Sequence, residues 1–325
     1  MAAQPWDDDH LALIREAAGR IKGHVRRTPL LGTDISPGLM IKPESLQVTG
    51  SFKARGAVNA VLSLLEREPD VRGVVTHSSG NHGQALAYAA RSAGIKATIV
   101  VPQGVTPAKI EGIRSYGATV VTDGVNFDNR ETIAEKIARS QGLRLIHPFD
   151  DWDVVHGAGT VGVEIQEDLA APGAVVVPIG GGGQISGTAL ALSILSPQTV
   201  IIGVEPESAD DAAWSLRTGR LQSLTSDPAT LAEGVKSKSI GDRNFEVIVG
   251  HRLVGDIVTV SESELRDALR VAWRRLKLAI EPTAALALAA YLTGKVPAGT
   301  AEHPTVLILS GGNFDPATVA AILIE

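Results

Sequence analysis

The chain has 325 residues, of which 44% are hydrophobic and 20% are charged, and it contains no cysteine. A chain of this length can bury a large core and forms two domains more often than one. The net charge of −6 and the lack of a basic stripe make nucleic acid a poor partner. The absence of cysteine excludes disulfides, thiolate metal sites and a cysteine nucleophile.

The N-terminal residues MAAQPWDDDH do not have the pattern of a secretion signal. Three aspartates stand where a basic segment and an apolar core would be needed. No apolar run approaches the roughly 18 residues that a membrane span requires. We therefore expect a cytoplasmic protein that has neither a membrane nor a nucleic-acid partner.

Short apolar runs alternate with longer amphipathic ones along the first half of the chain. Residues 11–25 place apolar side chains at helical spacing, an extended stretch follows at 39–44, and a helix is predicted from Ser51 to Leu65. Further elements are predicted as strands at 73–77, 96–102, 118–122 and 144–147, with helices at 81–94, 106–117 and 129–142. Valine- and isoleucine-rich strands separated by helices are typical of a parallel sheet covered on both faces.

The same alternation continues with new elements in the second half. These are helices at 159–170, 183–195, 261–276 and 283–293, and strands at 174–180, 199–205 and 305–310. A boundary between two α/β units is predicted near 148–152. The predicted fold class is therefore α/β, with two domains that each hold an open, mostly parallel sheet with helices on both faces.

Three glycine-rich stretches follow predicted strands: THSSGNHG at 76–83, PIGGGGQISG at 178–187 and LSGGNFD at 309–315. Sites in open parallel sheets lie at the carboxyl ends of strands, and glycine lets the backbone approach a ligand closely. Four consecutive glycines before a helix expose backbone N–H groups that suit a phosphate, although a flexible turn is the alternative.

The spacing of the second stretch fits neither common nucleotide motif. A dinucleotide fingerprint requires G-x-G-x-x-G or G-x-G-x-x-A, and the last position is Ile185 or Ser186, depending on the starting glycine. A Walker loop requires lysine after its last glycine, and Gly187 is followed by Thr188. The stretch therefore suits a phosphate that belongs to another kind of ligand.

Lys53, in the stretch TGSFKARGA at 49–57, lies where a helix is predicted to begin. A lysine is usually a solvated surface charge. A lysine amine combined with a phosphate site suits pyridoxal phosphate, whose aldehyde reacts with an amine. The motifs ESLQVTGSFKARGA, SSGNHGQALAYAA, GGGGQISG and SGGNFD, in this order, resemble those of the serine/threonine dehydratase and serine racemase family.

The resemblance implies a fold type II, tryptophan-synthase-β-like enzyme. Residues 1–68 and 151–325 would form a large cofactor-binding domain, and residues 69–150 a small mobile domain that closes over the substrate. Lys53 resembles the lysine that holds the cofactor as a Schiff base and then acts as base at the substrate Cα. The other residues that would contact the cofactor are Phe52, Asn81, Gly180, Gly181, Gly182, Gly183, Gln184 and Ser310.

The substrate would lie at the start of the helix after the second motif. The resemblance assigns substrate contacts to Ser78, Ser79, Gly80, Asn81, His82 and Arg130. Ser79 matches the serine that faces the lysine across the substrate in racemases, so we expect some racemisation. For Ser79 and Asn81 an ordinary helix cap is also consistent with the sequence, and Arg130 could be a solvated first-turn residue.

A metal site is also implied by the resemblance. In GVEPESADDAAWS, Glu205, Asp211 and the carbonyl of Ala209 match a divalent-metal site of the racemases and related dehydratases. Oxygen ligands suit Mg²⁺ or Ca²⁺, and Mn²⁺ is a further candidate. Acidic residues that cap the helix near Asp210 are the alternative.

The expected activity is elimination of water and ammonia from a β-hydroxy amino acid, by a homodimer. Ser310 matches the residue at the cofactor's ring nitrogen, and by resemblance a neutral hydroxyl there fits elimination better than transamination. An amino-acid racemase, a β-replacement enzyme and a non-catalytic protein that binds the cofactor are alternatives. The sequence departs from the family pattern at Glu233, Lys238, Gln184 and Thr283, which leaves the substrate open.

Overall fold

The computed structural model describes residues 5–324, and their side chains from Asp9 onward. The first four residues of the N-terminal stretch discussed above therefore lie outside the described part. The strands are β1 Leu31–Gly32, β2 Leu39–Pro43, β3 Gly73–His77, β4 Lys96–Val100, β5 Thr119–Val121, β6 Arg144–Leu145, β7 Ala174–Pro178, β8 Val200–Pro206, β9 Asp256–Val260 and β10 Thr305–Leu309.

Helices connect most of these strands. They are α1 Pro5–Ile21, α2 Lys53–Arg67, α3 Asn81–Ser92, α4 Pro107–Arg114, α5 Arg130–Gln141, α6 Trp152–Asp168, α7 Gly183–Leu195, α8 Asp211–Thr218, α9 Asp242–Phe245, α10 Glu262–Val271, α11 Pro282–Leu292 and α12 Pro316–Ile324. Across residues 5–324, none of the helices has both the length and the apolar character needed to cross a membrane.

The strands form two sheets, as the predicted fold class requires. One sheet has the order β1-β2-β10-β7-β8-β9, and all its pairs are parallel except β1 with β2. The other has the order β5-β4-β3-β6 and is wholly parallel. The prediction of two open, mostly parallel sheets is confirmed.

The alternation of side chains along the strands builds a core on each face of the larger sheet. Val175 and Val177 of β7 join a buried cluster with α6 and α7, whereas Val176 joins another with α10 and α11. Because successive side chains of a strand point to opposite faces, a continuous apolar run fills both cores. The smaller sheet has the same arrangement, since Val74 and Val75 belong to different clusters.

The helix α2 lies between the two sheets. Its buried residues Ala57, Val58 and Val61 pack in the cluster of β3 and α3, and Gly56 lies against α6 at Val154. The start of α2, which carries Lys53, is therefore placed by both units. The division of the chain into segments 1–68 and 151–325 against 69–150 stays a prediction.

The helix α6, the strand β9 and the helix α12 differ from the sequence-based expectation. The helix expected at 159–170 begins seven residues earlier, at Trp152, where the Asp151 side chain accepts from the N–H groups of Asp153 and Val154. A strand at Asp256–Val260 and a C-terminal helix at Pro316–Ile324 were not expected.

Candidate active site

Lys53 is the first residue of α2 and is half-buried. Its Nζ donates a hydrogen bond to the carbonyl oxygen of Pro148, at 2.7 Å. Burial of the amine lowers its pKa from the ordinary 10.5 to about 8. The amine is therefore enclosed and partly neutral near physiological pH, unlike a surface lysine.

The backbone before Lys53 is joined to the loop that follows β10. The N–H of Phe52 donates to the carbonyl of Ser310 at 3.1 Å, and the N–H of Gly312 donates to the carbonyl of Gly50 at 2.8 Å. Ser310 is 4% exposed, and its hydroxyl has no hydrogen-bond partner in the described chain. An unsatisfied buried hydroxyl is costly, so this oxygen is available to a ligand.

The four glycines lie between β7 and α7. Gly182 is the N-cap of α7 with a φ of 91°, a conformation that favours glycine. A Cβ on Gly181 would lie 2.1 Å from Cγ of the Phe149 ring, so only glycine fits there. Among the hydrogen bonds within residues 5–324, none is donated by the N–H groups of Gly180, Gly181 or Gly182. Such N–H groups at a helix start suit a phosphate.

Gln184, in the first turn of α7, is 4% exposed. Both polar atoms of its amide lack a hydrogen-bond partner in the part of the chain described. Phe149, the residue after Pro148, links this region to the lysine, because its ring lies against Gly181. Residues 148–149 therefore contact both the Lys53 amine and the glycine loop.

The loop between β3 and α3 carries the expected substrate contacts. Ser78, Ser79 and Gly80 are half-buried, and α3 begins at Asn81 with Gly80 as its N-cap. No side chain caps this helix, so the alternative that Ser79 or Asn81 serves as its cap is wrong. An uncapped helix start leaves its first N–H groups available to a carboxylate.

His82 is 2% exposed, and burial lowers its pKa well below the usual range, with a further lowering from the nearby Lys53 charge. It is therefore neutral at physiological pH. Asn81 makes two side-chain contacts: its amide nitrogen donates to Glu281 at 2.8 Å, and its oxygen accepts from Asn313 at 2.8 Å.

Arg130 is the first residue of α5, is half-buried, and stacks on the Phe127 ring with 3.9 Å from Cζ to the ring centroid. Burial lowers its pKa. Its guanidinium makes no hydrogen bond or ion pair with the described residues. The carboxylates of Glu131, Asp227 and Asp128 act on it only without direct contact. A half-buried cation that no side chain contacts directly is a candidate for binding an anion.

His77, Glu131 and His147 lie beside Arg130, with their possible metal-ligand atoms within 4.8 Å of one another. His147 Nδ1 accepts from the N–H of Asp150 at 2.9 Å, so Nε2 carries the proton of the neutral ring. Burial keeps the ring neutral by lowering its pKa to about 4. A protonated Nε2 donates a hydrogen bond and does not bind a metal, so this cluster is a poor metal site.

The expected metal ligands Glu205 and Asp211 are 1% and 2% exposed. Glu205 accepts from the N–H groups of Ala212 and Ala213, at 3.1 and 2.8 Å, so it caps α8. Burial raises the pKa of Glu205 well above its usual range and that of Asp211 to about 7. One carboxylate oxygen of Asp211 has no hydrogen-bond partner in the described chain, and Ala209 is buried beside the pair.

These geometric features agree with comparisons to known proteins. Residues 21–311 match the model of the family described as pyridoxal-phosphate dependent enzyme. The chain belongs to this family of enzymes. It is 41% identical to serine racemase of Arabidopsis thaliana over 310 residues, which cover 93% of this chain and 92% of that protein.

Solved structures of the family have the same fold. A threonine deaminase from T.th. is 43% identical and matches with a TM-score of 0.87, over 94% of this chain and 98% of that one. Maize serine racemase is 35% identical and matches with a TM-score of 0.88, over 97% and 96% of the two chains. The resemblance inferred from the four motifs is confirmed at the level of the family and of fold type II.

The residues present fit the cofactor of this family. A buried amine, N–H groups free at a helix start and an unpartnered hydroxyl at Ser310 are the groups that its aldehyde, phosphate and ring nitrogen require. Sequence reasoning did not assign Glu281 or Asn313 to the site, although both hold Asn81. The sequence signal that could have identified them is their position, Glu281 inside the stretch EPTAALALA and Asn313 inside SGGNFD.

Proposed function

We propose that the chain is a pyridoxal-phosphate-dependent ammonia-lyase. It would convert a β-hydroxy amino acid, such as serine, threonine, hydroxyaspartate or an aryl-serine, to a 2-keto acid and ammonia. The observation that carries the proposal is the enclosed Lys53 amine, with its pKa lowered to about 8, next to a glycine loop with N–H groups free for a phosphate.

The cofactor would be held by groups from three loops. The N–H groups of Gly180, Gly181, Gly182 and Gly183 would bind its phosphate, with Gln184 beside them. Asn81 would contact the ring hydroxyl, and the Ser310 hydroxyl would face the ring nitrogen. Phe52 would lie against the ring, since its backbone is fixed to Ser310.

When bound, pyridoxal phosphate supplies the electron sink that makes loss of the Cα proton feasible. Lys53 would hold the cofactor through Nζ, and the same amine, free once the substrate is bound, would take this proton. The β-hydroxyl leaves with a proton as water. The released enamine then tautomerises and is hydrolysed to the keto acid and ammonia.

The substrate carboxylate would accept from N–H groups in the loop of Ser78, Ser79 and Gly80 and at the start of α3, near Asn81 and His82. The unpaired guanidinium of Arg130 would contact the distal part of the substrate, where it favours an oxygen-rich side chain. Closure of the small domain would exclude water from this contact.

A racemase is the second candidate, since serine racemases are among the relatives and Ser79 can return a proton from the other face. The test is to incubate the purified protein with single β-hydroxy amino acids and no second nucleophile, and to measure keto acid, ammonia and the opposite enantiomer. We expect keto acid to exceed the enantiomer. Ser79→Ala should suppress the enantiomer and leave keto acid release within about threefold.

An excess of enantiomer would make the racemase the main activity. Cofactor binding without any turnover would favour the non-catalytic alternative. Turnover that begins only after a thiol is added would identify β-replacement.

We infer that Glu205, Asp211 and the Ala209 carbonyl hold Mg²⁺ or a similar divalent cation, since two buried carboxyl groups need a positive charge nearby. The cation would stabilise α8 without taking part in the chemistry. Added Mg²⁺ should raise the Tm of the wild type by several degrees, and Asp211→Asn should remove this increase. An equal increase in the variant would refute the site.

The homodimer and the cytoplasmic location stay predictions, and sedimentation equilibrium tests the first.

A further inference from the structure

A continuous chain of hydrogen bonds joins four segments of the candidate active site. The amide nitrogen of Asn313 donates to the carbonyl of Thr49 at 2.7 Å and to Oδ1 of Asn81 at 2.8 Å. The amide nitrogen of Asn81 in turn donates to Oε1 of Glu281 at 2.8 Å. The chain therefore runs from the lysine loop, through the loop after Ser310 and the start of α3, to the start of α11.

The Thr49 carbonyl, at one end of this chain, determines which atom is the donor at every contact. The carbonyl of Thr49 can only accept, so the Asn313 atom that faces it must be the amide nitrogen. The same nitrogen faces Asn81, so the Asn81 atom at this contact must be its oxygen. The Asn81 nitrogen then faces Glu281, which supplies an acceptor at the end of the chain.

The surrounding backbone is shaped around these side chains. Thr49 and Gly50 have φ values of 60° and 72°, and a Cβ on Gly50 would lie 2.5 Å from Oδ1 of Asn313. A Cβ on Gly311 would lie 2.7 Å from Oε1 of Glu281. A left-handed threonine is uncommon, so this turn is held by its contacts, among them the Asn313 bond to the Thr49 carbonyl.

We propose that Asn313 is a positioning residue that orients the Asn81 amide toward the cofactor. With its oxygen turned to Asn313 and one amide hydrogen bonded to Glu281, Asn81 has one N–H left to donate to the ring hydroxyl of pyridoxal phosphate. Asn313 acts only through Asn81 and the lysine loop. This assignment rests on the proposed function, because it requires that Asn81 contact the cofactor.

The test is Asn313→Asp, which keeps the size of the side chain but cannot donate to Thr49 or to Asn81. We expect the Kd for pyridoxal phosphate, measured without substrate, to rise about tenfold or more, as for loss of a buried hydrogen-bond partner. The absorbance spectrum of the bound cofactor should also change, because the ring hydroxyl loses its donor. Glu281→Gln keeps an acceptor oxygen and should alter the Kd by less than about threefold.

Asn59→Asp is the matched control. Asn59 is a buried asparagine of the active-site helix α2; its amide nitrogen donates to the carbonyl of Asp153 at 2.7 Å, and its oxygen accepts from Arg20 at 2.7 Å. Its replacement should lower the Tm but leave the Kd and the spectrum unchanged. If Asn313→Asp does not fold, Asn313→Ala removes the same donor without adding a carboxylate.

A folded Asn313 variant with the wild-type Kd and spectrum would overturn the assignment. It would also be overturned if Asn59→Asp changed both by the same amount, since the effect would then be general destabilisation. If the wild type takes up no pyridoxal phosphate, or if the band of the lysine-bound cofactor persists in Lys53→Ala, the proposed function itself fails and the assignment fails with it.

Discussion

Lys53 combines two properties that a surface lysine lacks. Its pKa is lowered to about 8 by burial, and its Nζ is held by the Pro148 carbonyl 2.7 Å away. A lowered pKa makes the amine a nucleophile near neutral pH, and the contact to a carbonyl gives it a defined direction. At the residue scale, the chemistry proposed for the site therefore depends on the enclosure of one amine.

The neighbouring histidines are uncharged for the same reason. Burial lowers the pKa of His77 to about 3 and that of His147 to about 4. Because both rings are neutral, the Arg130 guanidinium is the positively charged group beside them. Under the proposed function, an anionic or oxygen-rich substrate side chain would therefore be directed to Arg130 and not shared with a charged histidine.

At the scale of elements, the fit of Phe149 against Gly181 joins the glycine loop to the segment 148–149, whose Pro148 carbonyl contacts Lys53. A Cβ on Gly181 would lie 2.1 Å from Cγ of the Phe149 ring, so Gly181→Ala must displace the ring or the loop. We expect this variant to weaken pyridoxal phosphate binding by at least about tenfold, because the loop N–H groups lose their alignment. The Kd measured by absorbance titration checks this.

Phe149→Ala in the same chain should restore much of the affinity, because it makes room for the added methyl group. Gly19→Ala is the control, since no atom lies within 4 Å of a Cβ at that helical position. It should leave the Kd unchanged. An unaltered Kd in Gly181→Ala would mean that the packing of Phe149 does not shape the loop.

The helices and strands that could be predicted were those with a continuous buried run of apolar and small residues bounded by glycine, proline or polar residues. The strands β3, β4 and β7 and the helix α7 lie where the sequence predicts them. The first half of α6 was missed because Gly157 and Gly159 interrupt its apolar pattern. A Cβ on Gly157 would lie 2.6 Å from the carbonyl oxygen of Arg55, and a Cβ on Gly159 would lie 2.7 Å from that of Gly187. These glycines therefore permit close helix packing and do not break the helix.

The candidate site was predictable where a residue type has a specific chemical use. Lysine, consecutive glycines and the serine after β10 were identified from motif order. In the structure Lys53 contacts Pro148, Gly181 lies against Phe149, and Ser310 accepts from the N–H of Phe52. Glu281 and Asn313 could not be assigned, because their role depends on contacts between residues 200 or more positions apart, such as Glu281 with Asn81. Helix period and motif spacing carry no information about such contacts.

At the scale of the whole molecule, two exposed ion pairs connect the smaller-sheet unit to segment 233–241. Lys109 of α4 pairs with Glu233, and Lys238 lies 3.2 Å from Asp128. Glu233 and Lys238 are positions where the sequence departs from the family pattern. The N–H of Gly241, at the end of the segment, donates to Gly181, so the segment also touches the glycine loop.

We expect the Lys109–Glu233 pair to favour closure of the small domain. Exposed pairs contribute about 0.2–1 kcal/mol, so Lys109→Glu or Glu233→Lys should raise KM by up to about fivefold. The double exchange should restore KM, and the differences should shrink in about 0.5 M salt. Arg139→Glu, in a pair within α5, is the control. Single variants with the KM of the wild type would show that the pair has no role in closure.

The most direct test of the central claim is the rate at which cofactor-free protein captures pyridoxal phosphate, followed through the absorbance band of the lysine-bound cofactor. Only a neutral amine attacks the aldehyde, so with a pKa of about 8 the rate should rise with pH, reach half its maximum near pH 8 and level off above about pH 9. Lys53→Ala should show no such band and an unchanged Tm. A band that persists without Lys53, or a rate still rising above about pH 10 as for an ordinary lysine, would contradict the account.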